Sequence, residues 1–213
     1  MTSTLILMRH GLSQWNLENR FTGFTDVPLT EEGREEARKG GRALAEAGLS
    51  IDKVYTSTLK RAYTTAELAL EASGSAADKV RNADGSFNLT KHDDLRERDY
   101  GDLTGLNKDD TREKYGEEQV HIWRRSYDVP PPGGECLEDV VEKRVRPYFE
   151  AEIKPHLDAG ETVLIAAHGN SLRAMLIILG AETPDTINEA EMPTGAPLVF
   201  ELDGDKIVSR KFL

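Results

Sequence analysis

Residues Leu5 to Asn16, LILMRHGLSQWN, constrain this chain most. A short apolar run passes straight into Arg9, His10 and Gly11, which reads as a buried strand ending at a breaker. Such a strand carries polar side chains to its C-terminal end, where open α/β sheets place their ligand crevices. A second apolar run, Thr162 to Ala167 (TVLIAA), ends in the same manner on His168-Gly169-Asn170-Ser171.

The segments between them alternate. Gly11 to Val27 is polar and reads as irregular, with Gly23 and Pro28 as breakers. Thr30 is placed to cap a helix running to about Ala47, with Gly48 as its stop. Its small face of Ala37, Gly41 and Leu44 suits close packing on a sheet. Val54 to Thr56 predicts a short strand, after which Ser57 or Thr58 caps a helix whose inner face is Leu59, Ala62, Ala66 and Ala69. Ser73 to Asp94 reads as a surface excursion with a short strand near Phe87. Leu95 to Lys108, LRERDYGDLTGLNK, shows neither period and reads as a polar loop of the kind that carries binding groups.

Asp109 to Ser126 predicts helical turns, and Pro130 to Gly134 a break too short to be a domain linker. Leu137, Val140, Val141, Val145, Tyr148, Phe149 and Ile153 mark a long amphipathic helix that Pro147 would kink. A helix follows from Ser171 to Leu179, and Leu198–Leu202 with Ile207–Phe212 predicts a closing hairpin turned at Asp203-Gly204. This order predicts an α/β three-layer sandwich with a mostly parallel central sheet flanked by helices. Right-handed crossovers would make the three main strands parallel and bring Arg9-His10, Ser57 with Arg61, and His168 to one edge.

The length of 213 residues fits one domain spanning 1–213. A formal net charge of −11 argues against broad nucleic-acid binding, although a local basic pocket can still take a small anion. A single cysteine, Cys136, excludes an internal disulfide. No leader-like stretch opens the chain and no apolar run approaches the ~20 residues of a membrane span, so a soluble cytoplasmic protein is expected. His92, His121 and His156 sit in polar contexts and read as surface residues, and no His/Cys spacing suggests a metal.

Two histidines and two arginines at one crevice point to an anionic reacting group. Arginine offers paired planar donors matched to phosphate oxygens, and a neutral imidazole with a fixed tautomer can act as nucleophile. A second histidine could stabilise charge on a phosphoryl group in flight. The leaving oxygen still needs a proton, and Glu97 is the best candidate by residue type.

RHG near the start and AHGNSLRA near the end resemble the histidine phosphatase superfamily. Within it, NRFTGFTDVPLTEEG, YTSTLKRA, LRERDYGDLTGLNK, WRRSYD and MPTGAPLVFELD resemble the cofactor-dependent phosphoglycerate mutases, in the same order along nearly the whole chain. The resemblance implies that His10 is the phosphorylated nucleophile, Glu97 the proton donor and acceptor, and His168 the stabiliser of the transferring group. It implies that Arg9 and Arg61 grip that group. Ser13, Asn16, Thr22, Gly23, Gly169 and Asn170 would line the phosphate and substrate site. Tyr100, Lys108, Arg124 and Arg125 would hold the rest of a phosphoglycerate. The implied cofactor is 2,3-bisphosphoglycerate, which primes His10, and no metal is implied. The implied activity is interconversion of 3- and 2-phosphoglycerate in glycolysis and gluconeogenesis, an isomerase reaction; partners would be small phosphoglycerates, with the chain a dimer or a monomer.

Three features depart from that pattern. Leu12 follows RHG where a glutamate is usual, the connection from Val129 to Glu135 is short, and the chain stops at Leu213, where relatives often continue into a tail. The short end predicts a less enclosed site with some hydrolysis of phosphohistidine. Two other readings share the scaffold. A phosphatase hydrolysing phosphate esters would use His10, His168, Arg9 and Arg61 but has no need of GLNK and WRR. A non-catalytic binding module would not need an intact His10, Glu97 and His168.

Overall fold

The structure, a computed structural model, describes residues 1–213. Its six strands are β1 (Thr2–Arg9), β2 (Lys53–Thr56), β3 (Thr90–Lys91), β4 (Thr162–Ala167), β5 (Pro197–Asp203) and β6 (Lys206–Phe212). They form one sheet in the order β3-β2-β4-β1-β5-β6. β1 and β2 both run parallel to β4, as the crossover argument predicts, while β5 and β6 add an antiparallel edge. Arg9 pairs with Ala167 and Thr56 with Ala166, so the chain leaves all three parallel strands at one level, through His10, Ser57 and His168.

Both faces of the sheet are covered. Leu5 and Leu7 of β1 join Val163 and Ile165 of β4 in one core, while Ile6 and Met8 join Leu164 and Ala166 in the other. This period-two split buries Leu5–Met8 and Val163–Ala167 throughout, the mark of a central parallel strand. Leu5, Ile6, Leu7 and Met8 have no solvent exposure, and each such burial stabilises the fold by roughly 1.5–3 kcal/mol. Helices Glu31–Glu46 and Lys60–Ala72 cover the second core through Leu44, Ala66, Ala69 and Leu70. The long helix 137–158 and helix Gly169–Ile178 cover the first. The result is the expected three-layer α/β arrangement.

The Glu31–Glu46 helix is capped as its sequence predicts. Thr30 Oγ1 accepts the Gly33 N–H at 3.0 Å and donates to the Leu12 carbonyl at 3.0 Å, tying the helix to the loop behind His10. That approach requires two glycines. A Cβ on Gly11 would lie 2.0 Å from the Gly33 carbonyl oxygen, and one on Gly33 would lie 2.2 Å from that of Leu12.

Several local expectations need correction. The Gly11–Val27 stretch contains one helical turn, Gln14–Leu17, capped by Ser13. Neither Ser57 nor Thr58 caps the Lys60–Ala72 helix: Asp26 accepts the Lys60 N–H at 2.7 Å, freeing Ser57 to meet His168. The short strand near Phe87 lies instead at Thr90–Lys91, and Phe87 makes only an isolated bridge to Arg81. Helix 109–126 is two helices, Lys108–Tyr115 and Glu117–Arg125, parted at Gly116 with φ +87°. In the long helix the prolines open short α-helical turns after π-helical segments at Val140–Val145 and Phe149–Ile153, which accommodates the absent N–H groups of Pro147 and Pro155. The later helix begins at Gly169, two residues early, and the hairpin turns at Gly204-Asp205.

The Pro130–Gly134 break has a clear task. Asp102 N–H donates to the Pro132 carbonyl and Glu135 N–H to that of Asp99, each at 2.9 Å, so the break buttresses the loop that follows Glu97. Arg144 completes the support. It holds the Glu135 carboxylate at 2.7 and 2.8 Å and donates to the carbonyls of Asp94 and Glu97.

Candidate active site

His10 is buried and hydrogen-bonded through Nδ1 to the Gly11 carbonyl at 2.7 Å. A carbonyl only accepts, so Nδ1 carries the proton and Nε2 keeps its lone pair. Burial first, then the charges of Arg61 and Arg9, push the imidazole well below its ordinary pKa despite the Gly11 bond. His10 is therefore neutral at physiological pH, with a free nitrogen of the nucleophilic tautomer.

His168 lies edge-on beside it, ring centroids 5.1 Å apart, with Nε2 2.7 Å from Ser57 Oγ. Burial again leads, with Arg61 next, in holding this ring well below its ordinary pKa. Ser171 Oγ accepts the His168 N–H at 3.1 Å and fixes the strand-to-helix corner.

Arg61 has almost no exposure, yet no carboxylate lies within ion-pair reach. Its two Nη groups donate to the carbonyls of Thr25 and Gly23 at 2.7 and 2.8 Å, fixing the plane of the fork. Burial lowers its pKa to about 10, with Glu97 and Asp26 opposing the drop, so it remains charged at neutral pH. Arg9 donates one Nη to the Met192 carbonyl at 3.0 Å, while its buried Nε has no partner. Thr22 Oγ1 is likewise buried and unpartnered.

Glu97 presents one oxygen to three donors: Arg98 N–H at 2.7 Å, Asn170 Nδ2 at 2.8 Å and Asn170 N–H at 3.2 Å. Burial pushes this carboxyl upward, but those hydrogen bonds and the charges of Arg61 and Arg9 outweigh it, leaving the pKa below the usual carboxylate value. Glu97 thus stands ionised at neutral pH, ready to take a proton rather than to give one. A pKa drawn toward neutrality, which a two-way proton carrier would favour, is not its resting condition.

These groups surround a cleft of about 230 Å³. Arg9, His10, Arg61, Glu97, Gly169 and Asn170 form its inner wall. Asn16, Thr22, Gly23, Tyr100, Lys108, Arg124 and Arg125 complete the predicted lining. Two predicted residues stand back from it. Ser13 is fully buried and acts at one remove, donating to Asn16 Oδ1 at 2.8 Å and capping the Gln14–Leu17 turn. His168 is fully buried beside His10. Leu12 does not face the cleft; its N–H donates to Glu36 at 2.8 Å.

Sequence reasoning missed three lining residues: Arg20, Phe21 and Arg173. Arg20 and Phe21 fall between predicted residues Asn16 and Thr22 on the same loop. Arg173 is four residues beyond Gly169 and three beyond Asn170, so the helical period puts it on their face. That spacing was the available signal. With these additions the cleft carries seven cationic side chains against one carboxylate, Glu97, inside a chain of net charge −11. Burial lowers the pKa of Lys108 and of Arg124, the cost of clustering cations away from water. Such a site is built for a ligand with more than one anionic group.

The histidine phosphatase superfamily (branch 1) pattern matches residues 5–212, and the chain belongs to that superfamily. Within it the chain is 52% identical over 211 residues to the 2,3-bisphosphoglycerate-dependent phosphoglycerate mutase of Brucella anthropi, covering 99% of this chain and 98% of that protein. The enzyme of the same name from Rhizobium meliloti is 51% identical, with 99% and 95% covered. Among solved structures, Bacillus stearothermophilus YhfR superposes with a TM-score of 0.78 at 30% identity, covering 96% of this chain and 94% of that one. No helix is long and apolar enough to cross a membrane.

Proposed function

We propose that the chain is a 2,3-bisphosphoglycerate-dependent phosphoglycerate mutase, an isomerase that interconverts 3- and 2-phosphoglycerate through a phosphohistidine at His10. One observation carries the reading. The unprotonated nitrogen of His10 and the ionised Glu97 share a cleft whose cations extend well beyond those needed for one phosphate. The 52% identity to relatives of that name supports it.

In this reading Arg9 and Arg61 hold the transferring phosphoryl group while His10 Nε2 attacks phosphorus in line. His168 lies beside the path and offsets charge on the phosphoryl oxygens. Glu97 takes the proton of the substrate hydroxyl that attacks phosphohistidine and returns a proton to the departing oxygen in the other half. The arriving phosphate charge raises the Glu97 pKa and eases that return. Lys108, Arg124, Arg125 and Tyr100 hold the carboxylate and the non-reacting phosphate, with Asn16, Thr22, Gly23, Gly169 and Asn170 lining the walls between.

The donor set fits 2,3-bisphosphoglycerate, since the unpartnered Arg9 Nε and Thr22 Oγ1 and the excess of cations match a polyanion. When bound, that molecule supplies the phosphoryl group that loads His10. Residues 1–213 act as one domain, working in the cytoplasm on small phosphoglycerates, as a dimer or otherwise a monomer. The reading is tested by isomerisation of 3-phosphoglycerate with and without 2,3-bisphosphoglycerate. Turnover that needs the primer supports it. Release of inorganic phosphate without isomerisation assigns the chain to phosphate-ester hydrolysis, and no turnover of either kind to a binding module.

A further inference from the structure

Two largely buried arginines, Arg144 behind the Glu97 loop and Arg173 in the cleft wall, differ in their partners. Arg144 is ion-paired with Glu135, and its remaining donors meet backbone carbonyls. Arg173 has no carboxylate within ion-pair reach, a single long bond from Nη2 to the Ala190 carbonyl at 3.4 Å, and a buried Nε with no partner. Burial, and then Arg125, lower its pKa, so its surroundings disfavour the charge rather than balance it. Leaving a guanidinium unpaired in this way is costly unless an anion arrives to meet it.

Its position says where that anion sits. A methyl group built on Gly169 would lie 3.3 Å from Arg173 Nη1 and 3.7 Å from both Arg9 Nε and Glu97 Oε2. Arg173 therefore faces the notch in which the proton acceptor stands. A small chamber of about 10 Å³ lies beside the cleft, and Arg124, Arg125, Asn170 and Arg173 line both spaces. His10, Arg9 and Arg61 do not line the chamber. Arg173 thus reaches from the notch it shares with Glu97 and Arg9 to the Arg124–Arg125 end of the cleft.

We propose that Arg173 binds the substrate's second anionic group, the carboxylate beside the reacting hydroxyls, and so selects phosphoglycerates over simple phosphate esters. This rests on the mutase reading above. A planar fork facing the notch can take two carboxylate oxygens at once, which a lysine cannot reproduce.

The test is calorimetric titration of the wild type, R173K and R173Q with 3-phosphoglycerate and separately with inorganic phosphate. The proposal predicts at least tenfold weaker 3-phosphoglycerate binding in R173Q, an intermediate loss in R173K, and less than twofold change for phosphate. In the isomerisation assay R173Q should raise KM while kcat stays within a few-fold. Equal weakening of both ligands, or no change in either, overturns it; so does a fall in kcat with a moved pH profile, which would mean Arg173 acts through Glu97. R173K carries the test if R173Q does not fold. Failure of the mutase reading shows separately, as wild-type protein that does not isomerise phosphoglycerate.

Discussion

Asn170 gives both its side-chain amide and its backbone N–H to one oxygen of Glu97, at 2.8 and 3.2 Å. The residue after the His168-Gly169 corner therefore sets the ionisation and the orientation of a carboxylate carried by a different loop. The other oxygen of Glu97 takes no hydrogen bond from the protein.

Removing the side-chain donor should move that balance. Asn170→Ala leaves burial in place and subtracts one bond that favours the carboxylate, so the Glu97 pKa rises. The acid limb of kcat is expected at higher pH than in the wild type, with activity partly recovered on the alkaline side. Glu97→Gln should lower kcat by roughly 10²–10⁴-fold at every pH, the usual worth of a general acid–base group. A pH profile of Asn170→Ala that overlies the wild type would separate Glu97 from the observed titration.

The two buried histidines predict how stability depends on pH. Each has a folded pKa well below its ordinary value of 6.5, so below that pH the unfolded chain binds protons the native state does not. Their contribution to stability is complete above about pH 6.5 and is lost as pH falls below it, by about 1.4 kcal/mol per pH unit for each ring. Denaturant melts at pH 7 and pH 5.5 should show the drop, and His168→Gln should show roughly half the slope. Unchanged slope in that variant would contradict neutral burial of His168.

Gly11 tests the backbone contact behind His10. Gly11→Ala drives a Cβ to 2.0 Å from the Gly33 carbonyl oxygen, where only main chain can yield. Overpacking of this kind costs about 1–3 kcal/mol, and the displaced loop carries His10 with it. Thermal melting should fall and kcat should fall further than stability explains. A variant with wild-type kcat would show that the contact does not set the position of His10.

Leu12 occupies the position where the resemblance leads one to expect glutamate, but its side chain lies off the cleft and its N–H is already held by Glu36. Leu12→Glu should shift KM or the pH optimum and leave kcat within about threefold, since exposed or half-exposed polar changes are small in effect. A nearly inactive wild type restored by glutamate would refute this.

The readable parts of this molecule are those governed by local pattern. The apolar runs before His10 and His168, and the Thr30 cap, follow from period and residue type alone. Ser57 does not cap its helix because its hydroxyl is diverted to a histidine 111 residues away, and the cap is supplied by Asp26 from another loop. Ser13 looked like a lining residue, yet its side chain turns inward to brace Asn16. Arg173 is not legible in the sequence because an arginine on a helix reads as solvated until its missing counter-ion is seen. For Ser57 the deciding partners are distant in sequence and close in space.

The most direct measurement of the central claim follows the phosphoryl group itself. Protein is mixed with 2,3-bisphosphoglycerate carrying labelled phosphate; one portion is quenched in alkali and mapped, and another is chased with unlabelled 3-phosphoglycerate before quenching. The expected result is acid-labile label on His10 that passes into phosphoglycerate faster than it appears as inorganic phosphate, with no label on His10→Ala. Label absent from His10, or label that leaves only as inorganic phosphate, would contradict a mutase that works through this histidine.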